Sequence, residues 1–417
     1  MALIPRKSWR SWRSWRLGGS FSFAGTAAVA GAIIGCGENT DRVVVPATSS
    51  TSDAGQVMGA IGSPIGFAAV AAGTVQTTTG GGVRVADFAS TCSDLKALLE
   101  DADHPRVIVV TQAIDCHREP EPVDTCERDC DAATNDPNRK VYRVMPPDAA
   151  DCSQVSGGSA SDPIVSKTRN ETIINVTSDK TLIGQGSGAA VAGANLYIRG
   201  QSNVIIQNLM LRDVNPDLLE AGDAITIDGS NHIWVDHCAF SNISDGFVDA
   251  IKTSSDITLS WNKFEGANPD ACAGQHNYAH TIDGASVTFH HDMYDHTLAY
   301  SPKISNGSHT HFFNDYWLNV LVYCIQVASE SQALIQGNDF EDSKNPYQIS
   351  GSCFDDATPC GISAPADTPN LFEGISASET HVTGGIVDPL PYDPSTYQVE
   401  DASAAKRAVI ANAGNTL

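Results

Sequence analysis

Positive charge is scarce in this chain. Lys and Arg number 25 against 49 Asp and Glu, and the formal net charge is −24. That balance excludes nucleic acid and anionic membrane surfaces as partners, because like charges repel. It also handicaps the binding of any polyanion, which would need local Lys or Arg or a bridging divalent cation. Charged residues of both signs reach only 18 %. Beyond residue 36 no apolar run is long enough to span a bilayer. Helical periodicity is missing from the most regular stretch, residues 203–340. What remains is 417 residues, 41 % hydrophobic, enough for one large β architecture with a sizeable core.

The first 36 residues have the pattern of an export signal. Arg6, Lys7, Arg10, Arg13 and Arg16 make a positive start, and residues 17–35 are uncharged and rich in small residues. The stretch ends Ile33-Ile34-Gly35-Cys36, which resembles a bacterial lipobox with Cys36 as the lipidated residue. Ordinary signal-peptidase cleavage nearby is the alternative. Residues 37–56 are Ser/Thr-rich and read as a tether. The expected domain then runs over 57–417, with a Cys-, Asp- and Pro-rich insert at 115–170. The protein is expected to be secreted, or held as an outer-surface or periplasmic lipoprotein of a bacterium, touching membrane only through Cys36.

The eleven cysteines suit an oxidising compartment. With Cys36 lipidated, ten remain, and several disulfides are expected whose pairing the sequence does not give. Cys126 and Cys130 beside His117 leave a zinc reading open against structural disulfides. Cys238 lies in a strand pattern and reads as a small core residue.

Six segments between 203 and 340 share one template: NVIIQNLML, HIWVDHCAF, DITLSWNKF, SVTFHHDMY, SHTHFFNDY and QALIQGNDF. Their starts fall 22 to 30 residues apart, and each ends in Leu, Phe or Tyr. Asn262, Asn314 and Asn338, with Asp292, stand two residues before that end. A repeat of this length built from short strands indicates a solenoid whose coils bury their apolar residues only by stacking. Asn and Asp at one template position suggest a side-chain ladder between coils. The fold expected is all-β, a right-handed parallel β-helix in the form of a single-stranded solenoid. Residues 404–414 read as a short C-terminal helix. A β-sandwich is the rival, but it would show hairpin turns rather than one aligned template.

At residues 223–264 the sequence resembles the bacterial pectate lyase group, polysaccharide lyase family 1, as a divergent member. The matching motifs are Trp234-Val235-Asp236-His237-Cys238 and Asp245-Gly246-Phe247-Val248-Asp249. Residues 65–82, 172–211, 287–296, 390–397 and 411–414 extend the resemblance over roughly 57–417. It implies β-elimination of a uronic-acid polysaccharide such as pectate or pectin, by a monomer. It also implies Ca2+, held by Asp223, Asp245 and Asp249, with Ala221 where some members carry a further acid. Calcium is a hard cation that takes oxygen ligands.

The basic half of the family pattern is altered. The family's Lys falls on Pro269, and its R-x-P-x-x-R becomes Tyr300-Ser301-Pro302-Lys303-Ile304-Ser305. Tyr300 therefore occupies the base position, with Lys303 close enough in sequence to supply charge; His276, His290 and His291 are further candidates. Three readings stand open: a lyase with an altered base, a calcium-dependent polysaccharide binder without activity, and a structural surface lipoprotein. An unsaturated product marks the first, calcium-dependent retention without product the second, and neither the third. His237 reads as a buried ladder residue rather than a catalytic one. His309 and His311 alternate on one strand face, a weak metal pattern. Trp234, Trp261 and Trp317 read as packing before sugar stacking.

Overall fold

The computed structural model describes residues 56–71, 77–126, 141–144, 165–269, 274, 278–328, 330–350, 360–376, 383–385 and 387–417. The export segment with Cys36, the tether to residue 55, and Cys130, Cys152, Cys272, Cys353 and His276 lie outside the described residues.

The chain winds as a right-handed parallel β-helix. Most coils give one strand to each of three sheets, of eleven, nine and eight strands. In one coil the strands are Ser202–Gln207, Met210–Val214 and Ile225–Asp228. The next coil repeats them as Asn231–Asp236, Ala239–Ile243 and Val248–Ile251, paired in parallel with the first. All six template segments lie in or next to strands of the eleven-stranded sheet. The alternating apolar residues of each strand point inward, and stacking makes them columns such as Val204, Ile233, Ile257 and Val287.

The terminal aromatic of the template forms a stack through the core. Phe240, Phe264, Tyr294, Trp317, Phe340 and Phe372 follow one another at ring spacings between 4.6 and 5.6 Å. Each fully buried ring of this kind contributes on the order of 2–3 kcal/mol by leaving water. The sequence template puts Tyr316 in this column, but the register does not. Ser286 pairs with His309, so the repeat begins one residue later and Trp317 faces Tyr294.

The same one-residue shift corrects the ladder. Oδ1 of Asn262 accepts from the Cys238 N–H, Asp292 from Asn262, Asp315 from Asp292, Asn338 from Asp315 and Asn370 from Asn338, all at 2.7–2.9 Å. Asp315, not Asn314, occupies the fifth coil's place. Asn314 instead turns the corner between the eleven- and nine-stranded sheets. That corner takes a left-handed residue on each coil: Asn208, His237, Trp261, His291, Asn314 and Gly337 have φ between 48° and 61°. Asn and Gly adopt that conformation most readily. His237 is thus a partly exposed corner residue, not a buried ladder residue. It bonds Asp236 at 2.8 Å and stacks on Trp261, which stacks on His291.

Two helices complete the described fold. Helix α1, Cys92–Leu99, opens with a capping box between Thr91 and Asp94 and buries Leu95 and Leu99 in the core. A disulfide ties its first residue to Cys116. Cys238 and Cys324 are reduced and buried. Helix α2, Ala402–Asn412, is the expected terminal helix. Its Lys406 reaches Glu341 at 2.8 Å, Asp339 at 3.7 Å and also Glu373. Burial pushes the Asp339 carboxyl up to about 6, and Lys406 opposes that shift. Replacing Lys406 by Met should cost about 3 kcal/mol near neutral pH, because it strands a buried carboxylate among two others. The loss should shrink as pH falls below 5 and the acids take protons; denaturant titrations at two pH values check both parts.

Candidate functional site

Two of the three outer faces are covered in part by the chain's own ends. On the eleven-stranded sheet, the Phe67 and Ala68 N–H groups donate to Thr288 and Thr258, each at 3.1 Å. Tyr392, from the far end, bonds Thr288 and His311. His311 spends its second nitrogen on Gln336 at 2.9 Å, and burial pushes it down to about 3. With both nitrogens engaged it is no metal ligand, which removes the His309–His311 pattern. Trp234 is buried here too, donating to Ser260. Helix α2 lies on the nine-stranded sheet.

The eight-stranded sheet carries the residues that the family resemblance singles out. Its register aligns one outward column: Tyr197, Thr226, Asp249, Thr281, Lys303, Gln326 and Gln348. Strand spacing sets each step at about 4.8 Å. Asp223 and Tyr300 each stand three residues before a column member, Thr226 and Lys303.

The acidic end is built by backbone and hydroxyl donors. Asp223 Oδ1 accepts the Gly246 N–H at 3.0 Å, and its other oxygen takes the Thr226 hydroxyl. Asp249 Oδ1 accepts the Thr281 N–H at 2.8 Å. A Cβ on residue 246 would lie 2.0 Å from that same Oδ1, so the glycine of the Asp-Gly-x-x-Asp motif is required by space. Both aspartates keep part of their surface accessible. Burial raises Asp223 to about 6, against the pull of Thr226 and Gly246. Burial also raises Asp249, and the charges of Asp223 and Asp245 raise it further. Three carboxyl groups therefore feel one another, and no Lys or Arg lowers Asp223 or Asp249.

An all-oxygen, mutually repelling set of this kind suits a hard divalent cation. Among the described residues, however, no three acid, His or Cys side chains converge tightly enough to hold a metal alone. Waters and a substrate oxygen would have to complete such a shell.

The other end is aromatic. Tyr300 sits in the left-handed region at φ 51° between Tyr278 and Tyr323, with ring centroids at 4.7 and 5.8 Å. Lys303 places Nζ 4.9 Å from the centre of the Tyr300 ring. The structure thus brings Tyr300 and Lys303 together, on the face that holds Asp249. Ser305 gives its hydroxyl to Asp283 at 2.9 Å, so it orders a neighbouring acid. Pro269 is exposed on a turn, and Asn268 beside it donates to the Pro216 carbonyl.

His290 and His291 lie elsewhere, on and just after an eleven-stranded-sheet strand. Burial holds both low, His291 at about 4 and His290 well below the usual imidazole range. His237 and Trp261 mark the far corner, and Trp317 is core. The sequence reading missed Tyr278 and Tyr323; their signal was a Tyr three residues before three successive column positions.

The insert at 115–170 is structured where described. Glu121–Cys126, Val141–Arg143 and Val165–Arg169 make a three-stranded sheet. Tyr142 and Val144 pack on Leu218 and Ala221, in the loop that leads to Asp223. It therefore braces the acidic end of the site. His117 bonds Asp115 at 2.6 Å and the Asp213 carbonyl at 2.9 Å. Both its nitrogens are occupied, which removes the zinc reading.

Comparison with known proteins follows the same lines. The pectate lyase family pattern matches residues 149–416. A probable pectin lyase F-2 of Aspergillus terreus is 30 % identical over 390 residues, covering 89 % of this chain and 78 % of that protein. A probable pectin lyase F of Aspergillus flavus is 32 % identical over 313 residues, covering 72 % and 70 %. A solved pectate lyase from Bacillus sp. N165 in complex with trigalacturonate superposes with a TM-score of 0.54 at 21 % identity, over 84 % of this chain and 98 % of that one. Another, from Paenibacillus sp. 0602, gives 0.58 at 17 % identity, over 85 % and 96 %. The solved neighbours share the fold. The sequence relatives are fungal, so the resemblance is wider than the bacterial group.

Proposed function

The chain belongs to the pectate lyase family, and on that premise we propose that it cleaves a uronic-acid polysaccharide by β-elimination on the eight-stranded face, with Tyr300 as the base. The observation that carries this reading is the pairing of Tyr300 with the Lys303 cation on the face that also holds Asp249. A phenol ordinarily keeps its proton to about pH 10. The phenolate is the form that takes a proton.

The step balances as follows. Tyr300 Oη, as phenolate, takes the C5 proton of a uronic-acid unit, free or esterified. The C5–H electron pair becomes the C4–C5 double bond, and the C4–O4 bond breaks. The departing oxygen takes a proton from Lys303 or solvent, and Tyr300 returns its own to solvent.

Asp223, Asp245 and Asp249 would hold calcium, which when bound supplies positive charge to a substrate carboxylate and eases loss of the neighbouring proton. Because Asp223 and Asp249 are raised, protons compete for that site, and calcium affinity should climb as pH rises through about 6.

The substrate we favour is methyl-esterified. Two positions where the family carries Arg are Tyr300 and Ser305, and a third, where it carries Lys, is Pro269. A densely anionic chain would find one cation, Lys303, where three were expected. An ester has no charge to neutralise, and its C5 proton is more acidic than that of a carboxylate. The curated relatives named pectin lyases support the same choice. Residues 1–36 and 37–56 we take as export signal and tether, by composition, delivering the enzyme outside the cell.

The test is a panel of methyl-esterified pectin, polygalacturonate and alginate, read by ultraviolet absorbance of the new double bond, with calcium and with chelator. Product from the ester that survives chelator, with weak calcium-dependent product from polygalacturonate, is expected. Calcium-dependent retention of polysaccharide with no product from any substrate would replace the enzyme by a binder.

A further inference from the structure

Tyr323 holds a buried hydroxyl that the resting structure leaves without a well-formed hydrogen bond. The residue is 8 % exposed, and its Oη completes no hydrogen bond of good geometry, although the backbone and hydroxyl of Tyr300 both approach it. Buried phenols ordinarily find one, because an orphaned polar group loses its water for nothing. Its neighbour is Tyr300. The Ser301 N–H donates to the Cys324 carbonyl at 3.0 Å, which sets the two tyrosines on adjacent coils. Their rings lie 5.8 Å apart at 44°.

Among the described residues, the titratable groups around Tyr300 are few. Tyr278 lies on the preceding coil, Lys303 on its own coil and Tyr323 on the following coil. His280 donates its backbone N–H to the Tyr300 carbonyl, while its imidazole turns inward to the Val248 carbonyl. When two phenols share a site, the charge settles on the more accessible one, and the buried one stays protonated. Tyr300 is the more accessible. Burial holds the Tyr323 phenol far up, and the charge of Tyr300 adds to that. Tyr323 is therefore a permanent donor at any working pH.

We propose that Tyr323 is a positioning residue: it donates its hydroxyl to Tyr300 Oη once Tyr300 has lost its proton, and so both fixes and favours the phenolate. The proposal rests on the reading of Tyr300 as the base. A hydrogen bond to a charged acceptor is among the stronger ones, whereas the same hydroxyl gains little from the neutral phenol. Its contribution is thus made mainly in the reactive form.

Tyr323→Phe removes the oxygen and keeps the ring. With methyl-esterified pectin, the rising limb of kcat against pH should move up by about one unit, and kcat near neutral pH should fall about tenfold. KM and Tm should stay near those of the parent. A uniform drop in kcat with an unmoved limb would overturn the proposal. An independent readout needs no turnover. The alkaline ultraviolet titration of the Tyr300 phenol is obtained as the parent minus Tyr300→Phe, and again in the Tyr323→Phe background. A shift to higher pH without the Tyr323 hydroxyl supports the donor role; an identical titration overturns it. Failure of the base reading looks different, since Tyr300→Phe would then retain turnover whatever the titration shows.

Discussion

Tyr300→Phe should lower turnover of methyl-esterified pectin by about 10²- to 10⁴-fold, the usual contribution of a positioned base. The substitution removes one oxygen. The ring remains between Tyr278 and Tyr323, and the Lys303 ammonium keeps an aromatic face to rest on. Packing and substrate binding should therefore survive, and the loss should appear in kcat rather than KM. Double-bond absorbance under saturating substrate checks it. Less than a tenfold loss would move the base elsewhere. Lys303, the outward-column residue beside Tyr300, would then be the first group to test. His290 and His291 are poor substitutes, because they are buried on a different sheet.

The second large effect concerns stability in alkali. Asp292 and Asp315 stand in a ladder whose other rungs are Asn262, Asn338 and Asn370. Each Asn uses Oδ1 to accept a backbone N–H of the coil before and Nδ2 to donate to a carbonyl of that same coil. The three donations go to Val235, Phe312 and Ile335. In Asp292 and Asp315 the atom in the donor's place is Oδ2, and it has no partner. By register, the carbonyls those atoms face are Leu259 and Phe289. A carboxylate there would set lone pairs against lone pairs; a protonated carboxyl copies the amide. Burial accordingly raises both carboxyls well above the usual range; the charge of Asp292 raises Asp315 further, and that of Asp236 raises Asp292. Asp236 and the Tyr294 phenol stand close by and add no positive charge.

The sign follows from linkage. The unfolded chain sheds these protons near pH 4, while the folded chain keeps them. Stability should then fall by about 1.4 kcal/mol per pH unit for each group, from there up to the raised folded values. The double substitution Asp292→Asn, Asp315→Asn removes that slope. Its Tm should match the parent near pH 4 and exceed it by several degrees at pH 8. A variant less stable than the parent at pH 8 would show the carboxylates to be ionised and otherwise satisfied.

Much of this architecture is legible in the sequence, and the failures are physical. Six aligned segments announce stacked coils because each strand must repeat the same inward pattern. The Asn-Asp pair at 314–315 misleads by one residue because either side chain fits the ladder, and only strand pairing decides which one enters it. The other then takes the left-handed corner, where Asn is equally at home. The Asp-Gly-x-x-Asp spacing is readable, since Gly246 leaves room for the Asp249 oxygen. The Tyr278, Tyr300 and Tyr323 row is not, because the loops before those strands differ in length and hide the common offset. Helix α1 had a signal in Thr91-Cys92-Ser93-Asp94 that a search for strands passes over. The Cys92–Cys116 pairing depends on where the first coil closes, which no local pattern encodes.

The outward column of the eight-stranded sheet has a consequence for how such a surface can change over generations. Its members are separated by whole strands, so a functional group cannot drift along the axis by a fraction of a step. Moving a cation from one coil to the next relocates it by about 4.8 Å at once, and a substitution within a coil changes chemistry without changing place. The surface behaves as a keyboard with fixed pitch. Tyr at 300 and Lys at 303 are different keys from those the family usually presses, struck on the same coil.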